Sequence, residues 1–187
     1  MRVKIQSEKQ IQRINELINA LGELKTIPED NFIKAPTEKS WSGQEVIKHM
    51  SIAHKAYQSK IENALKIDDK VSEVGELECS IIPSFLIKRF PPIEGKVKFK
   101  MKTTKQFKPV AIDSSESVSD SIIELENCLL ELKAWVIHFR TNKVSLLKFN
   151  SAVGALVRFN IPEACEFILC HNERHFLQLK NTLEKVN

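Results

Sequence analysis

The sequence predicts an all-α fold, a four-helix bundle with a long crossover between the second and third helices. Apolar residues recur at spacings of three and four in four long stretches, the period of amphipathic helices. Five glycines and seven prolines in 187 residues are too few for a many-turned β protein. One connection, residues 68–112, is far longer than antiparallel neighbours need, so the chain can cross the bundle and helix three can run parallel to helix two. A single domain spanning 1–187 is the default at this length, with enough chain to bury a core.

Helix one is expected over 8–25, where Ile11, Ile14, Ile18 and Leu21 form a stripe widened by Leu17 and Leu24, with Ser7 as its cap. Thr26 to Lys39 reads as a loop broken by Pro28 and Pro36. Helix two opens at Ser-Trp-Ser-Gly-Gln-Glu. Ser42 and Glu45 make a capping box, Trp41 can staple onto Val46, and the helix runs to about Ile67. Its buried arc holds Val46, Met50, Ala53, Tyr57 and Ala64, with His49 at the edge.

Ile81 to Phe90 can form two or three helical turns before Pro91-Pro92. Helix three spans about 116–141, with Ile122, Leu125, Leu129, Leu132, Val136 and Phe139 as a bundle seam. Residues 142–160 form a connection of mixed character. Asn160 caps helix four, Glu163 completes a second capping box, Pro162 fits the first turn, and the helix runs to about Lys185.

Bulk properties exclude several classes. No run of 18 apolar residues exists, so no membrane span is expected. The N-terminus lacks an apolar signal core, and a cytoplasmic protein is expected. Cys79, Cys128, Cys165 and Cys170 form no CxxC pair and read as small core residues. The net charge of +4 is local. Six lysines fall in 96–108, and the remainder has 22 basic against 24 acidic residues. A nucleic-acid partner, which needs a basic groove or helix face, is not expected. The lysine run reads as a solvated loop or edge strand, or as an attractor for an anion. If the crossover closes over a site, Phe99 and Phe107 can line it.

The chemistry concentrates in histidines. His171 and His175 lie one helical turn apart. At about 100° per residue they fall within about 80° of Ala164, Ile168 and Leu179, so both point with the core. Residues at i and i+4 are about 5–6 Å apart at Cβ, close enough for both imidazoles to reach one ion. His49 on helix two can supply a third, and Ala53, Ala56 and Ala164 are small enough to leave a cavity. Three neutral imidazoles suit zinc, nickel, copper or iron rather than calcium or magnesium, and three protein ligands leave a position open, as in catalytic sites.

Other polar residues have competing explanations. Glu173 falls on a different face, so the glutamate of an HExxH motif is missing. Glu45 is read as a cap. Gln178, two turns from His171, can hydrogen-bond a ligand imidazole or serve as a plain helix contact. Cys170 points about 100° away from His171. His54 and His138 read as structural or surface residues. Arg158 and Arg174 read as salt-bridged surface residues, or as sites for an anionic substrate.

Trp41 to His49, W-S-x-x-E-V-I-x-H, together with His171 to Gln178, H-N-E-R-H-F-L-Q, resembles the DinB/YfiT-like superfamily. The stretch SAVGALVRFNIPEACEF before the second motif is similar to the small-residue turn that leads into the family's last helix. The resemblance covers nearly the full chain. It implies an up-down-down-up bundle, frequent homodimers, and a divalent metal held by His49, His171 and His175, with zinc or nickel favoured over iron. It implies a small-molecule substrate and, in some relatives, a low-molecular-weight thiol. Two reactions are expected to compete, thiol-dependent transfer and metal-dependent hydrolysis. The alternative is a non-enzymatic metal- or ligand-binding or interaction module of the same fold.

Overall fold

A computed structural model of the chain describes residues 2–67, 74–93, 95–97, 103–109 and 116–186. Four long helices dominate it: α1 (Ser7–Leu24), α3 (Gly43–Leu65), α5 (Val118–Thr141) and α6 (Ile161–Val186). They pack against one another around a continuous apolar core. The α5 seam behaves as its spacing requires, with Ile122, Leu125, Leu129, Leu132, Val136 and Phe139 all buried. In α3 the buried arc is wider than expected, because Ile47 and Ile61 join Val46, Met50 and Tyr57. The short α4 (Ile81–Arg89) occupies the expected apolar stretch. An unexpected one-turn helix, α2 (Glu29–Ile33), lies in the first loop and buries Phe32.

Two small antiparallel sheets correct the all-α expectation. β1 (Lys4–Gln6) pairs with β2 (Glu76–Glu78), placing Ile5 opposite Leu77. Lys4 and Gln6 both donate to the Glu76 carboxylate across the pair. β3 (Phe149–Ser151) and β4 (Gly154–Phe159) form a hairpin directly before α6. There Val157 and Phe159 turn inward while Leu156 and Arg158 face solvent, the period-two alternation of a half-buried strand.

The capping chemistry fixes where the two histidine-bearing helices begin. Ser42 Oγ accepts from Glu45 N (3.2 Å), and Glu45 Oε2 accepts from Ser42 N (2.8 Å). Gly43, in the first turn of α3, makes a close approach, since a Cβ there would meet Phe32 Cδ1 at 3.1 Å and Leu183 Cδ2 at 3.3 Å. At α6, Asn160 and Glu163 form the second box. Ser7 is not the cap of α1. It is the first helical residue, and its hydroxyl donates to the Val74 carbonyl.

Glu163 is fully buried and does more than cap. Its Oε1 also accepts from Ser80 N and Ser80 Oγ, each at 2.7 Å, which ties α4 to the start of α6. Glu163→Ala leaves these donors unsatisfied and is expected to cost about 2–4 kcal/mol in urea unfolding, with Glu163→Gln costing less. A loss under about 0.5 kcal/mol for the alanine variant would show that the Ser80 bonds do not persist in solution.

Candidate metal centre

α3 and α6 bring His49, His171 and His175 together. His49 and His175 are buried and His171 is half-buried. One ligand nitrogen from each ring lies within 4.8 Å of the others. His49 Nε2 stands 3.2 Å from His175 Nε2 and 3.2 Å from His171 Nε2. Bonds of about 2.0–2.1 Å in tetrahedral geometry separate ligand nitrogens by about 3.3–3.4 Å, so the spacing fits a single ion.

The groups behind the rings set their tautomers. His49 Nδ1 lies 2.6 Å from the carbonyl oxygen of Phe107. A carbonyl only accepts, so Nδ1 carries the proton and Nε2 presents its lone pair. His175 Nδ1 lies 2.9 Å from Gln178 Oε1, and with the amide in this orientation Nδ1 carries the proton on the second ring as well. Two lone pairs therefore face each other inside the protein, an arrangement that a cation between them satisfies. Trp41 packs its ring 4.9 Å from that of His49, a contact beyond its role before the helix cap.

Burial also keeps these imidazoles neutral. It lowers the His49 pKa, partly offset by the Phe107 carbonyl. His171 is driven well below the ordinary value by burial, then by its histidine neighbours. His175 is pushed down to about 3, by burial first and by His49 second. Neutral nitrogens are the form that binds a metal.

The trio opens on a cavity of about 80 Å³. Ala53, Tyr57, Phe90, Phe107, Phe167 and Ile168 supply most of its wall, with Val153, Thr103, Thr104 and Arg174 completing it. Ala53 thus makes room as expected, while Ala56 and Ala164 are not part of the wall. Phe90 and Phe167 pack with ring centres 4.8 Å apart. The Tyr57 hydroxyl hydrogen-bonds with Ser151 Oγ, where β3 enters the β3–β4 turn, and burial pushes its pKa up to about 12. Gln106 Nε2 donates to the Ala152 carbonyl, which joins the Phe107 segment to the same turn.

The remaining sequence candidates sort clearly. Glu45 caps α3, and Glu173 receives both Nε and Nη2 of Arg13, each at 2.7 Å. Cys170 lies against Arg13 and Glu166, and all four cysteines are buried free thiols. His54 bonds Glu131 and stacks on Trp135, while His138 is exposed. Arg158 donates to the Lys148 carbonyl. Arg174 lines the cavity, its guanidinium 5.4 Å from the centre of the Phe90 ring. Sequence reasoning gave Phe107 no part in holding a histidine. Its carbonyl carries no side-chain signal, and its neighbours are lysines. Phe99 lies outside the described residues.

These features define a mostly helical protein whose three clustered histidines can hold a metal ion. Comparison with family models, curated proteins and solved structures finds no match. Among the described residues no helix is long and apolar enough to cross a membrane.

The depressed histidine pKa values make metal-free stability fall with acid. The unfolded chain takes up protons below about pH 6.5 that the folded state refuses, so stability is full above that value and declines below it. His175, pushed down to about 3, contributes a loss of about 1.4 kcal/mol between about pH 7.5 and 5.5, and the lowered pKa values of His171 and His49 act in the same direction. Urea unfolding in chelator should show this slope, and His175→Asn should reduce it. Equal slopes in the two proteins would mean that His175 is not held neutral.

Proposed function

We propose that this protein is a DinB-like metalloenzyme that binds one divalent transition metal through His49, His171 and His175. The observation that carries the reading is the pair of opposed Nε2 lone pairs, fixed by the Phe107 carbonyl and by Gln178. Zinc or nickel, with iron third, suits three neutral imidazoles. An ion held there supplies Lewis acidity, which activates a small thiol or a water at neutral pH.

The protein's own residues bind and orient. Phe107 and Gln178 aim the imidazoles. The aromatic wall excludes water and receives the apolar part of a small-molecule substrate. No aspartate or glutamate among the described residues lines the cavity, so a carboxylate general base is not part of the proposal. The reactions that fit are transfer to a low-molecular-weight thiol and hydrolysis of a small ester or amide. The cavity beside the trio favours an enzyme over a closed metal-storage module. We extend the DinB-like reading to an up-down-down-up arrangement of α1, α3, α5 and α6 and to a homodimer.

Tag-free protein should carry about one equivalent of zinc, nickel or iron by elemental mass spectrometry, and His171→Ala/His175→Ala should carry none. Gln178→Leu, which removes the acceptor behind His175, should weaken metal affinity by about 10–100-fold with the fold intact. Equal metal content in wild type and the double variant, or none in wild type after reconstitution, would refute the centre.

A further inference from the structure

The short helix α4 packs one face inward and leaves the other uncovered. Pro83, Ser84 and Ile87 are buried, while Ile81, Ile82 and Phe85 meet solvent, 69%, 54% and 49% exposed. A helix face that met only water would carry polar residues there. Phe85 stands about one turn from both isoleucines, so the three form one stripe. Leu156 of β4, 93% exposed, lines the same groove as Ile81 and Ile82 and extends the stripe onto the hairpin. This face shares no residue with the cavity beside the histidines.

Cations border the stripe at both ends. Arg2, Lys148 and Arg158 line the groove, and the Arg89 guanidinium lies 4.2 Å from the centre of the Phe85 ring. The described acid in the groove is Glu78, which Arg2 meets at 3.6 Å. Lys148 donates to the Ser80 hydroxyl and Arg158 to the Lys148 carbonyl. Each thus spends one N–H on a neutral oxygen and keeps others for a ligand. The groove carries three cations against one exposed carboxylate.

We propose that the outer face of α4 and β4 docks on an anionic lipid membrane, with Ile81, Ile82, Phe85 and Leu156 entering the headgroup layer and Arg89, Lys148 and Arg158 meeting lipid phosphates. Shape and charge together select this occupant. Side chains that stand out from a surface need a matching hollow in a protein partner, whereas a lipid interface deforms around them. Lysine and arginine can lay their stems along the apolar stripe while their charged ends reach the phosphates. A second copy of the chain would use the same patch across a two-fold axis and bring cations onto cations. The lysine-rich run of 96–108 follows α4 in the chain, and Lys96, Lys105 and Lys108 are exposed, which adds positive charge to the same crossover.

The full chain is co-sedimented with vesicles of phosphatidylcholine alone and with vesicles of phosphatidylcholine and phosphatidylglycerol in equal parts. Wild type should partition onto the anionic vesicles at least about tenfold more strongly, and added salt should erase the difference. Ile82→Ser/Leu156→Ser and, separately, Lys148→Gln/Arg158→Gln should each lower that partitioning by about tenfold. Leu130→Ser, an exposed leucine of α5 outside the face, should bind as wild type does. Thermal melts check that each variant is folded, and the serine pair changes only exposed side chains. Partitioning that ignores lipid charge, survives both double variants or falls equally in Leu130→Ser overturns the proposal, as does no partitioning at all. Vesicles left unbound, beside Leu156-dependent capture of a labelled alternating Glu-Leu peptide or Leu156-dependent dimers in light scattering, would give the face to an acidic protein segment or to a second copy and overturn it as well.

Discussion

A main-chain carbonyl accepts hydrogen bonds and cannot donate them, and the candidate centre depends on that constraint. The Phe107 oxygen at 2.6 Å commits the His49 Nδ1 proton, which leaves Nε2 as a lone pair aimed at His175 and His171. Burial then denies the rings the easier remedy of taking up a proton, since the charged form loses its hydration. A divalent ion between them would satisfy all three nitrogens at once. The hydrophobic surroundings that look hostile to a polar cluster are what suit these histidines to hold a metal ion.

This dependence links parts of the chain that seem unrelated by composition. The lysine-rich run reads as solvated, and Lys105 and Lys108 are indeed exposed. Phe107 between them is buried, closes one side of the cavity and holds His49 from 58 residues away. Gln106 joins the same segment to the β3–β4 turn, and that turn holds the Tyr57 hydroxyl. Residues 103–107 of the crossover and the hairpin before α6 thus form one wall, and this part of the long connection has a physical purpose.

Local patterns were legible in the sequence and distant pairings were not. The α5 seam, both capping boxes and the histidine pair on α6 follow from spacings within a few residues, where helix geometry leaves little choice. Strands β1 and β2 are three residues each and lie about 70 positions apart, too short and too separate for any periodicity to announce them. The β3–β4 hairpin does alternate, yet the small residues Ser151 to Ala155 blur it into a connection. Periodicity showed His49 only as the edge of an apolar arc, and it was the motif from Trp41 to His49 that singled it out as a third ligand. What places it in the cluster is the rotation of α6 that brings His171 and His175 to face it, and no helical periodicity within α3 encodes that.

That rotation has its own physical cause on the opposite side of α6. Glu166 and Glu173 fall about 140–160° around the helix from His171, and Arg13 of α1 grips both. The planar guanidinium meets Glu173 through two nitrogens, which fixes angle as well as distance. Gln10 holds the second oxygen of Glu166. Half-buried ion pairs of this kind add little net stability, because desolvation offsets much of their attraction. Their value here is orientation. Ring nitrogens stand about 5–6 Å from a helix axis, so a turn of about 20° moves them by about 2 Å, a whole metal–nitrogen bond length. Packing of apolar side chains alone tolerates such a turn more readily than a bidentate arginine does. The Arg13 cluster is thus the counterpart of the Phe107 carbonyl: one sets the tautomer of the ring on α3, and the other sets the angle at which α6 presents its two histidines.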